Sequence, residues 1–165
     1  SMSELQIANL FAVHKQYYEC FTSCNANWRI LKEKPAERWI AEPKTAFVFA
    51  LFAAFLGKED LQTIFGQNFF EDESLLPVYR QLLGLEGFKP FECVGTPDET
   101  AAAFALALQR GELTDTPAMK MFVEEKAPQV ENIGELVNAA LGVTNEHLIT
   151  SRFLSKLDED TRPQQ

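Results

Sequence analysis

The sequence has few of the patterns on which common catalytic sites are built. It has two histidines, His14 and His147, and neither belongs to an H-E-x-x-H metal-binding pattern. No G-x-S-x-G turn presents a serine nucleophile, and the eight glycines are scattered instead of forming a phosphate-binding loop. These absences argue against a zinc hydrolase, a serine hydrolase of this kind and a P-loop protein. We therefore expect no catalytic residue, no metal and no cofactor, and an enzyme is the less favoured class.

Cysteine is also scarce, with only Cys20, Cys24 and Cys93, an odd number that cannot all pair. On a continuous helix Cys20 and Cys24 would face one another, with His14 or Glu19 near enough to join them around a thiophilic metal. One such pair falls short of the four ligands of structural zinc. We expect all three cysteines to be small buried side chains, and a metal or redox role for Cys20 and Cys24 is the third hypothesis.

Positive charge is in the minority, with 15 Lys and Arg against 24 Asp and Glu and a net charge of −9. Residues 58–165 hold 19 acidic and 9 basic residues, whereas residues 1–57 are nearly balanced. Such a field repels a polyanion, so nucleic acid is not expected as a partner. The basic positions that cluster in sequence alternate with glutamates and are expected to form a solvated helix face. They are Arg29, Lys32, Lys34, Arg38 and Lys44.

The chain has no apolar run of the roughly 20 residues that a membrane-spanning helix needs. Its longest run, Ala46 to Leu56, has 11 residues, is apolar on every face and is followed by Gly57. Lys44 and Lys58 flank it. The run predicts a buried central helix over about residues 44–57, ended by Gly57 and surrounded by other helices, and no membrane association.

Helix start signals recur along the chain. Ser3 and Gln6 fit a capping box before a helix predicted to reach about Phe21. Thr96-Pro97 and Thr116-Pro117 fit threonine caps with proline in the first turn, and Asn132 with Glu135 indicates another start. Further helices are predicted over residues 28–42, 58–70, 74–83 and 144–157. Residues 88–94 form an extended connector in which a short strand is possible.

These elements predict an all-α fold, a compact irregular bundle of about eight short helices around the central one. Because 46% of the 165 residues are hydrophobic, one core can form, and residues 2–157 are expected to be a single helical domain. Residues 158–165 are expected to be a disordered tail, and Ser1 is interpreted as a remnant of tag cleavage. The cysteine count and the lack of a signal-peptide pattern favour the cytoplasm.

Phenylalanine is the clearest excess, with fourteen residues. Aromatic residues at helical spacing in an apolar helix are most simply explained by core packing. The alternative is a pocket between helices for a small apolar ligand. Its candidate lining residues are Phe47, Phe52, Phe55, Phe65 and Phe69.

A smaller apolar patch is formed by Met119, Met121 and Phe122, which would suit adaptable protein recognition if it were exposed. The favoured hypothesis is a non-enzymatic interaction protein of the adaptor, chaperone or inhibitor type. Its acidic helical surface would bind a basic protein partner. The alternative is a binding protein or enzyme for a small apolar ligand. The sequence does not indicate an oligomeric state.

Overall fold

The structure is a computed structural model, which describes residues 2–24 and 37–142. Seven α-helices lie in these ranges, together with four short segments of 3₁₀ or π helix. They are α1 (Glu4–Phe11), α2 (Pro43–Ala53), α3 (Lys58–Phe65), α4 (Leu76–Leu82), α5 (Pro97–Arg110), α6 (Pro117–Met121) and α7 (Ile133–Leu141). The described residues contain no strand, so the all-α prediction is confirmed.

Helix α2 is the axis of the core, as its all-round apolarity predicted. Every residue from Lys44 to Ala53 is buried, and α1, α3, α4 and α5 pack around it. The prediction of its end is wrong by one turn. The helix stops at Ala53, and Gly57 instead caps the start of α3 in an extended conformation.

The predicted helix caps are confirmed. Ser3 Oγ accepts the N–H of Gln6 at 3.0 Å, and Gln6 Oε1 accepts the N–H of Ser3 at 2.7 Å. The side chains of Thr96, Thr116 and Asn132 each accept the N–H three residues further on. Each cap binds a backbone donor that would otherwise lack a partner in the first helical turn.

Helix α1 is shorter than predicted, because it ends at Phe11 and does not reach Phe21. The chain continues through one 3₁₀ turn at Lys15–Tyr17. The buried Tyr18 folds back so that its hydroxyl donates to the carbonyl of Ala12, at the end of the helix. A side chain therefore binds a carbonyl that a longer helix would have used.

Two further boundaries differ from the prediction. The helix predicted over residues 58–70 stops at Gly66, whose φ of 74° is readily adopted only without a β-carbon. Residues 88–94 contain bends and no strand. In that segment two tight turns replace the extended pairing that a strand would need.

Two of the basic residues expected on a solvated face bind backbone carbonyls instead, so that expectation is wrong for the half-buried Arg38 and the buried Lys44. The Arg38 guanidinium donates to the carbonyl oxygens of Thr63 (2.9 Å) and Ile64 at the end of α3. Lys44 is buried and its ammonium donates to the carbonyl of Cys93. The position of Arg38 is favourable because the C-terminus of a helix carries partial negative charge, which attracts a cation.

Several predictions fall on residues that the structure does not describe. They are the helix over residues 144–157, the tail at 158–165 and most of the helix predicted over residues 28–42, of which the described residues 37–42 are not helical. Within the described ranges, no helix is long and apolar enough to span a membrane.

Candidate functional site

The loop between α4 and α5, residues 84–96, presents two aromatic rings to solvent, and we call it the exposed-phenylalanine loop. Phe88 and Phe91 have relative exposures of 95% and 107%. Every other phenylalanine in the described residues is buried or half-buried. Large apolar side chains held together in water are typical of a surface that contacts another molecule.

The exposed-phenylalanine loop is held by its own hydrogen bonds. Lys89 Nζ donates to the carbonyl oxygens of Val94 (2.9 Å) and Gly95 (3.1 Å). The N–H of Glu92 donates to the carbonyl of Pro90 at 2.8 Å, which closes a three-residue turn. Val94 is buried beneath the loop. One lysine thus closes the loop on itself while the two rings stay outside.

A second lysine ties the loop to the central helix. The backbone N–H of Lys44, in the first turn of α2, donates to the Glu92 carboxylate at 3.1 Å. A carboxylate is favoured at that end of a helix because the free N–H groups carry partial positive charge. The Lys44 ammonium donates to the carbonyl of Cys93 and lies 5.5 Å from the centre of the Phe47 ring. The backbone N–H and the side-chain ammonium of Lys44 therefore both bind the loop.

The third anchor is the close approach of Gly95 to the core. A β-carbon at this position would lie 2.0 Å from Glu99 Oε2 and 2.8 Å from Phe47 Cζ, so only glycine fits without movement. Glu99 is buried, and its other oxygen accepts the N–H of Leu5 at 2.8 Å. This carboxylate joins the first turns of α1 and α5. The loop and the first turns of α1, α2 and α5 therefore lie at one end of the molecule, the loop end.

An open cleft of about 380 Å³ lies beside the first turns of α1 and α5. Among the residues that the structure describes, its lining includes two carboxylates, Asp98 and Glu99, and no lysine, arginine or histidine. Ser3 borders it and donates through Oγ to the carbonyl of Ala140 at 2.7 Å, which ties α1 to α7. Because its charged groups are acidic, the cleft disfavours an anionic ligand.

The five phenylalanines predicted to line a ligand pocket lie in different places. Phe65 is 6.1 Å from Phe52 and 6.2 Å from Phe69 between ring centres, and these three belong to one packed aromatic cluster. Phe47 lies apart, beneath Gly95, and Phe55 is half-buried at the edge of the core. Of the five, only Phe52 lines the groove of about 170 Å³ between α1 and α2. Whether these residues bind a ligand stays a prediction.

The Met119, Met121 and Phe122 patch is not a surface. All three side chains are buried, and Phe122 stacks on Phe104 at 5.2 Å between ring centres. Partner binding at these positions required exposure, so the structure corrects that interpretation. The capping threonine places α6 so that these side chains point into the core, which the sequence pattern alone did not distinguish from an exposed face.

The cysteines are not a cluster. Cys20 and Cys93 are exposed and Cys24 is buried, so the expectation that all three are buried is wrong for two of them. Because α1 ends at Phe11, Cys20 and Cys24 do not share a helix face. His14 is exposed in the turn after α1. In the part of the chain that the structure describes, no three His, Cys, Asp or Glu side chains are placed to bind a metal ion.

Sequence reasoning missed the loop that stands out in the structure. Phe88 and Phe91 were placed in an extended connector, with no prediction about the exposure of their rings. The available signal was their position on either side of Lys89-Pro90, in a segment without helical periodicity and bounded by Gly87 and Gly95. A phenylalanine in such a segment has no predicted helix face along which to be buried.

Comparison with known proteins identifies a family. A sequence model described as the MurL C-terminal domain matches residues 20–136. Three similar proteins are each named UDP-N-acetyl-alpha-D-muramoyl-L-alanyl-L-glutamate epimerase. The Micromonospora sp. protein is 41% identical over 125 residues, or 75% of this chain. The Xanthomonas oryzae pv. oryzae protein is 36% identical over 149 residues (90%), and the Salinispora tropica protein 37% over 124 residues (74%).

The chain spans about a third of the length of these relatives. The matched regions cover 28%, 33% and 27% of the Micromonospora, Xanthomonas and Salinispora proteins. No solved structure matches the chain. Most of each relative therefore has no counterpart in this chain.

These comparisons correct the functional expectations. The hypothesis of a non-enzymatic adaptor, chaperone or inhibitor is wrong, as is the preference against an enzyme, because the family and its relatives are described as an epimerase. The relatives are named for a nucleotide-linked sugar peptide, so they give no support to the alternative of a small apolar ligand either. The reasoning failed because hydrolase and P-loop motifs do not test for an epimerase, and because the chain spans only about a third of the relatives' length.

Proposed function

The chain belongs to the MurL C-terminal domain family, and on that premise we propose that it is the C-terminal module of an epimerase acting on a UDP-linked muramoyl dipeptide. The observation that carries the proposal is the 36–41% identity to three epimerases over 74–90% of this chain. The matched residues 20–136 include α2, the exposed-phenylalanine loop and α5. The proposal therefore concerns the core and the loop end together.

The chemistry of the reaction limits which part of the enzyme can contain which functional groups. Inverting the glutamate stereocentre requires a proton to leave carbon on one face and to be returned on the other, which needs positioned acid and base groups. The substrate also carries a diphosphate and carboxylates. Recognition of such an anion calls for clustered cations or free helix N-termini.

The described residues of this chain are poorly suited to hold the diphosphate. The cleft beside α1 and α5 is lined by Asp98 and Glu99, and the ammonium groups of Lys44 and Lys89 are already bound to loop carbonyls. Another open cleft, of about 480 Å³, is lined by Lys15, Lys58 and Arg110 but also by three carboxylates, and Lys15 and Arg110 form ion pairs with two of these carboxylates. Residues 58–165 carry 19 acidic and 9 basic residues. We therefore assign the diphosphate site to the polypeptide that forms the other two thirds of the enzyme. This module completes the fold of the enzyme around that site.

The predicted partner takes a more definite form under this proposal. The acidic surface was expected to meet a basic protein, and the remaining two thirds of the epimerase is that protein here. The expected absence of nucleic acid and the cytoplasmic location remain predictions. Both are compatible with a reaction on a nucleotide-linked precursor.

A domain replacement tests the proposed function. The C-terminal third of the Xanthomonas oryzae epimerase is replaced by this chain, and the chimera is incubated with UDP-N-acetylmuramoyl-L-alanyl-L-glutamate. Hydrolysis and chiral chromatography then measure the D-glutamate formed. We expect inversion by the chimera and by the intact relative, and none by this chain alone.

The controls separate a failure of the proposal from a failure of folding. A chimera with an unrelated helical domain of similar size in the same position should be inactive. If the chimera with this chain unfolds cooperatively near the temperature of the intact relative and yet forms no D-glutamate, the proposed function is wrong. Substantial inversion by the isolated chain would contradict the assignment of the diphosphate site to the other polypeptide.

A further inference from the structure

We propose that Phe88 and Phe91 are the docking residues of this module, and that their rings insert into an apolar pocket on the other two thirds of the epimerase. This inference rests on the proposed function, because it takes that polypeptide as the single partner. The relatives contain about two to three times as much additional chain as they share with this one. A domain of this size in one enzyme must contact that remainder through some part of its surface.

The burial pattern selects the exposed-phenylalanine loop as that part. Thirteen of the fourteen phenylalanines lie in the described residues, and eleven of those thirteen are buried or half-buried. The remaining two, Phe88 and Phe91, are almost fully exposed and only three positions apart. Aromatic side chains are enriched at the centres of protein interfaces, where they dominate binding.

The loop is organised before any partner binds. Lys89 closes it through two carbonyls, Lys44 and Glu92 tie it to the first turn of α2, and Gly95 packs directly on the core. Pro90 fixes its own φ and restricts Lys89 to extended conformations. Because the loop is already ordered, docking loses little conformational entropy. A loop that served only as a linker would need none of these anchors.

The loop also lies where a preceding domain would arrive. In the relatives this region is a C-terminal domain, so the additional chain includes sequence before α1. The first turn of α1 is joined to Glu99, and Glu99 lies against Gly95 of the loop. A polypeptide that enters at α1 is therefore brought to the loop end of the molecule.

Charge argues against a second copy of this chain as the partner. Each copy carries −9, and Glu86 and Glu92 are neighbours of the two rings in sequence. Two identical loop ends would bring these carboxylates together, which is unfavourable. The partner pocket is therefore expected to be apolar in its centre and basic at its rim.

Fluorescence in the chimera tests burial of the rings directly. F88W and F91W are made one at a time, both in this chain alone and in the domain-replacement chimera, and the emission of the unsubstituted proteins is subtracted. We expect the emission maximum of a solvated indole in the isolated chain and a blue shift in the chimera. An indole that stays equally solvated in both proteins would overturn the proposal.

Truncation tests what the rings contribute. F88A and F91A are each expected to weaken association between this chain and a separately produced remainder by roughly 30-fold, the size of an interface hot spot. F88A/F91A in the chimera should lose most inversion activity. Tyr17→Ala, which removes a half-exposed aromatic ring from a different loop, is the matched control and should change neither.

The outcomes separate the two proposals. An inactive but folded unsubstituted chimera means that the proposed function has failed. An active chimera in which F88A/F91A performs like the unsubstituted protein means that the docking inference alone has failed. Sedimentation of the isolated chain tests whether a second copy of the chain binds the loop instead. A dimer that the F88A/F91A substitutions dissociate would show such binding and would overturn the inference.

Discussion

The core around α2 and the exposed-phenylalanine loop use the same side chain for opposite purposes. Phe49 is buried and lies 5.0 Å from Phe65 and 5.0 Å from Phe70 between ring centres. Phe88 and Phe91 contact almost nothing in their own chain. A buried ring stabilises the fold, whereas an exposed ring gains its hydrophobic free energy only when a partner covers it. The two regions should therefore respond in opposite ways to substitution.

The largest expected effect is that of a charge placed in the core. Leu51→Asp, in the middle of α2, buries a carboxylate among apolar side chains and should prevent folding, because the cost of several kcal/mol approaches the whole stability of a domain. Phe88→Asp introduces the same charge in the loop and should leave the fold intact. Circular dichroism of the purified proteins distinguishes them. A native melting transition for Leu51→Asp would mean that α2 is not the axis of the core.

Truncation of a core ring should come next. Phe49→Ala removes ring contacts on several sides and is expected to cost about 3–5 kcal/mol of unfolding free energy. Phe91→Ala is expected to change it by less than about 0.5 kcal/mol. Urea titration measures both. Comparable losses of unfolding free energy in the two variants would show that the Phe91 ring is packed in solution. The core and the loop would then not differ in the way described.

Gly95 connects the two regions, and its substitution should be intermediate. Gly95→Ala forces a β-carbon onto the Glu99 carboxylate and the Phe47 ring, which should cost about 1–3 kcal/mol. In a Glu99→Ala background the same change should cost less, because one of the two obstacles is gone. The double-mutant cycle thus measures how tightly the loop is fixed to the core. Equal costs in both backgrounds would mean that Gly95 and Glu99 are not in contact.

Alkaline pH should lower the stability of the core and leave the exposed-phenylalanine loop unaffected. Burial, with a smaller contribution from Asp72, raises the pKa of Tyr79 well above its ordinary value. A group whose pKa is raised by folding stabilises the protein below its unfolded pKa and loses that contribution as the pH rises above about 10.

Tyr79→Phe should remove this alkaline loss. At neutral pH it should cost about 1 kcal/mol, because the Tyr79 hydroxyl donates to the carbonyl of Phe69 at 3.2 Å. Urea titrations at neutral and alkaline pH make the comparison. If the free energy of unfolding of the variant falls equally steeply at alkaline pH, a group other than Tyr79 is responsible for the decline.

The sequence predicted local structure better than it predicted surfaces. The caps at Ser3, Thr96 and Thr116 depend on neighbouring residues and were found, as was the central helix, which is apolar on every side. The early end of α1 was missed because the Tyr18 hydroxyl binds there from outside the helix. Exposure of Phe88 depends on tertiary anchors such as Lys44, which no periodicity records.

Function was the harder inference for a related reason. A motif search can find a site only if its residues lie in the chain, and this chain spans about a third of its relatives. The buried Met119 shows the opposite difficulty, since its apolar pattern fits an exposed patch and a core face equally well. Neither the sequence that the relatives have beyond the matched region nor the direction of a side chain can be recovered from composition.

The most direct test of the account compares stability and catalysis in one variant, F88A/F91A of the domain-replacement chimera. We predict that the unfolding transition of this domain keeps its melting temperature while most D-glutamate formation is lost, because the two rings stabilise the contact with the rest of the enzyme and not the fold of this domain. Full activity in the doubly substituted chimera, or a fall in melting temperature large enough to account for the lost activity, would contradict it.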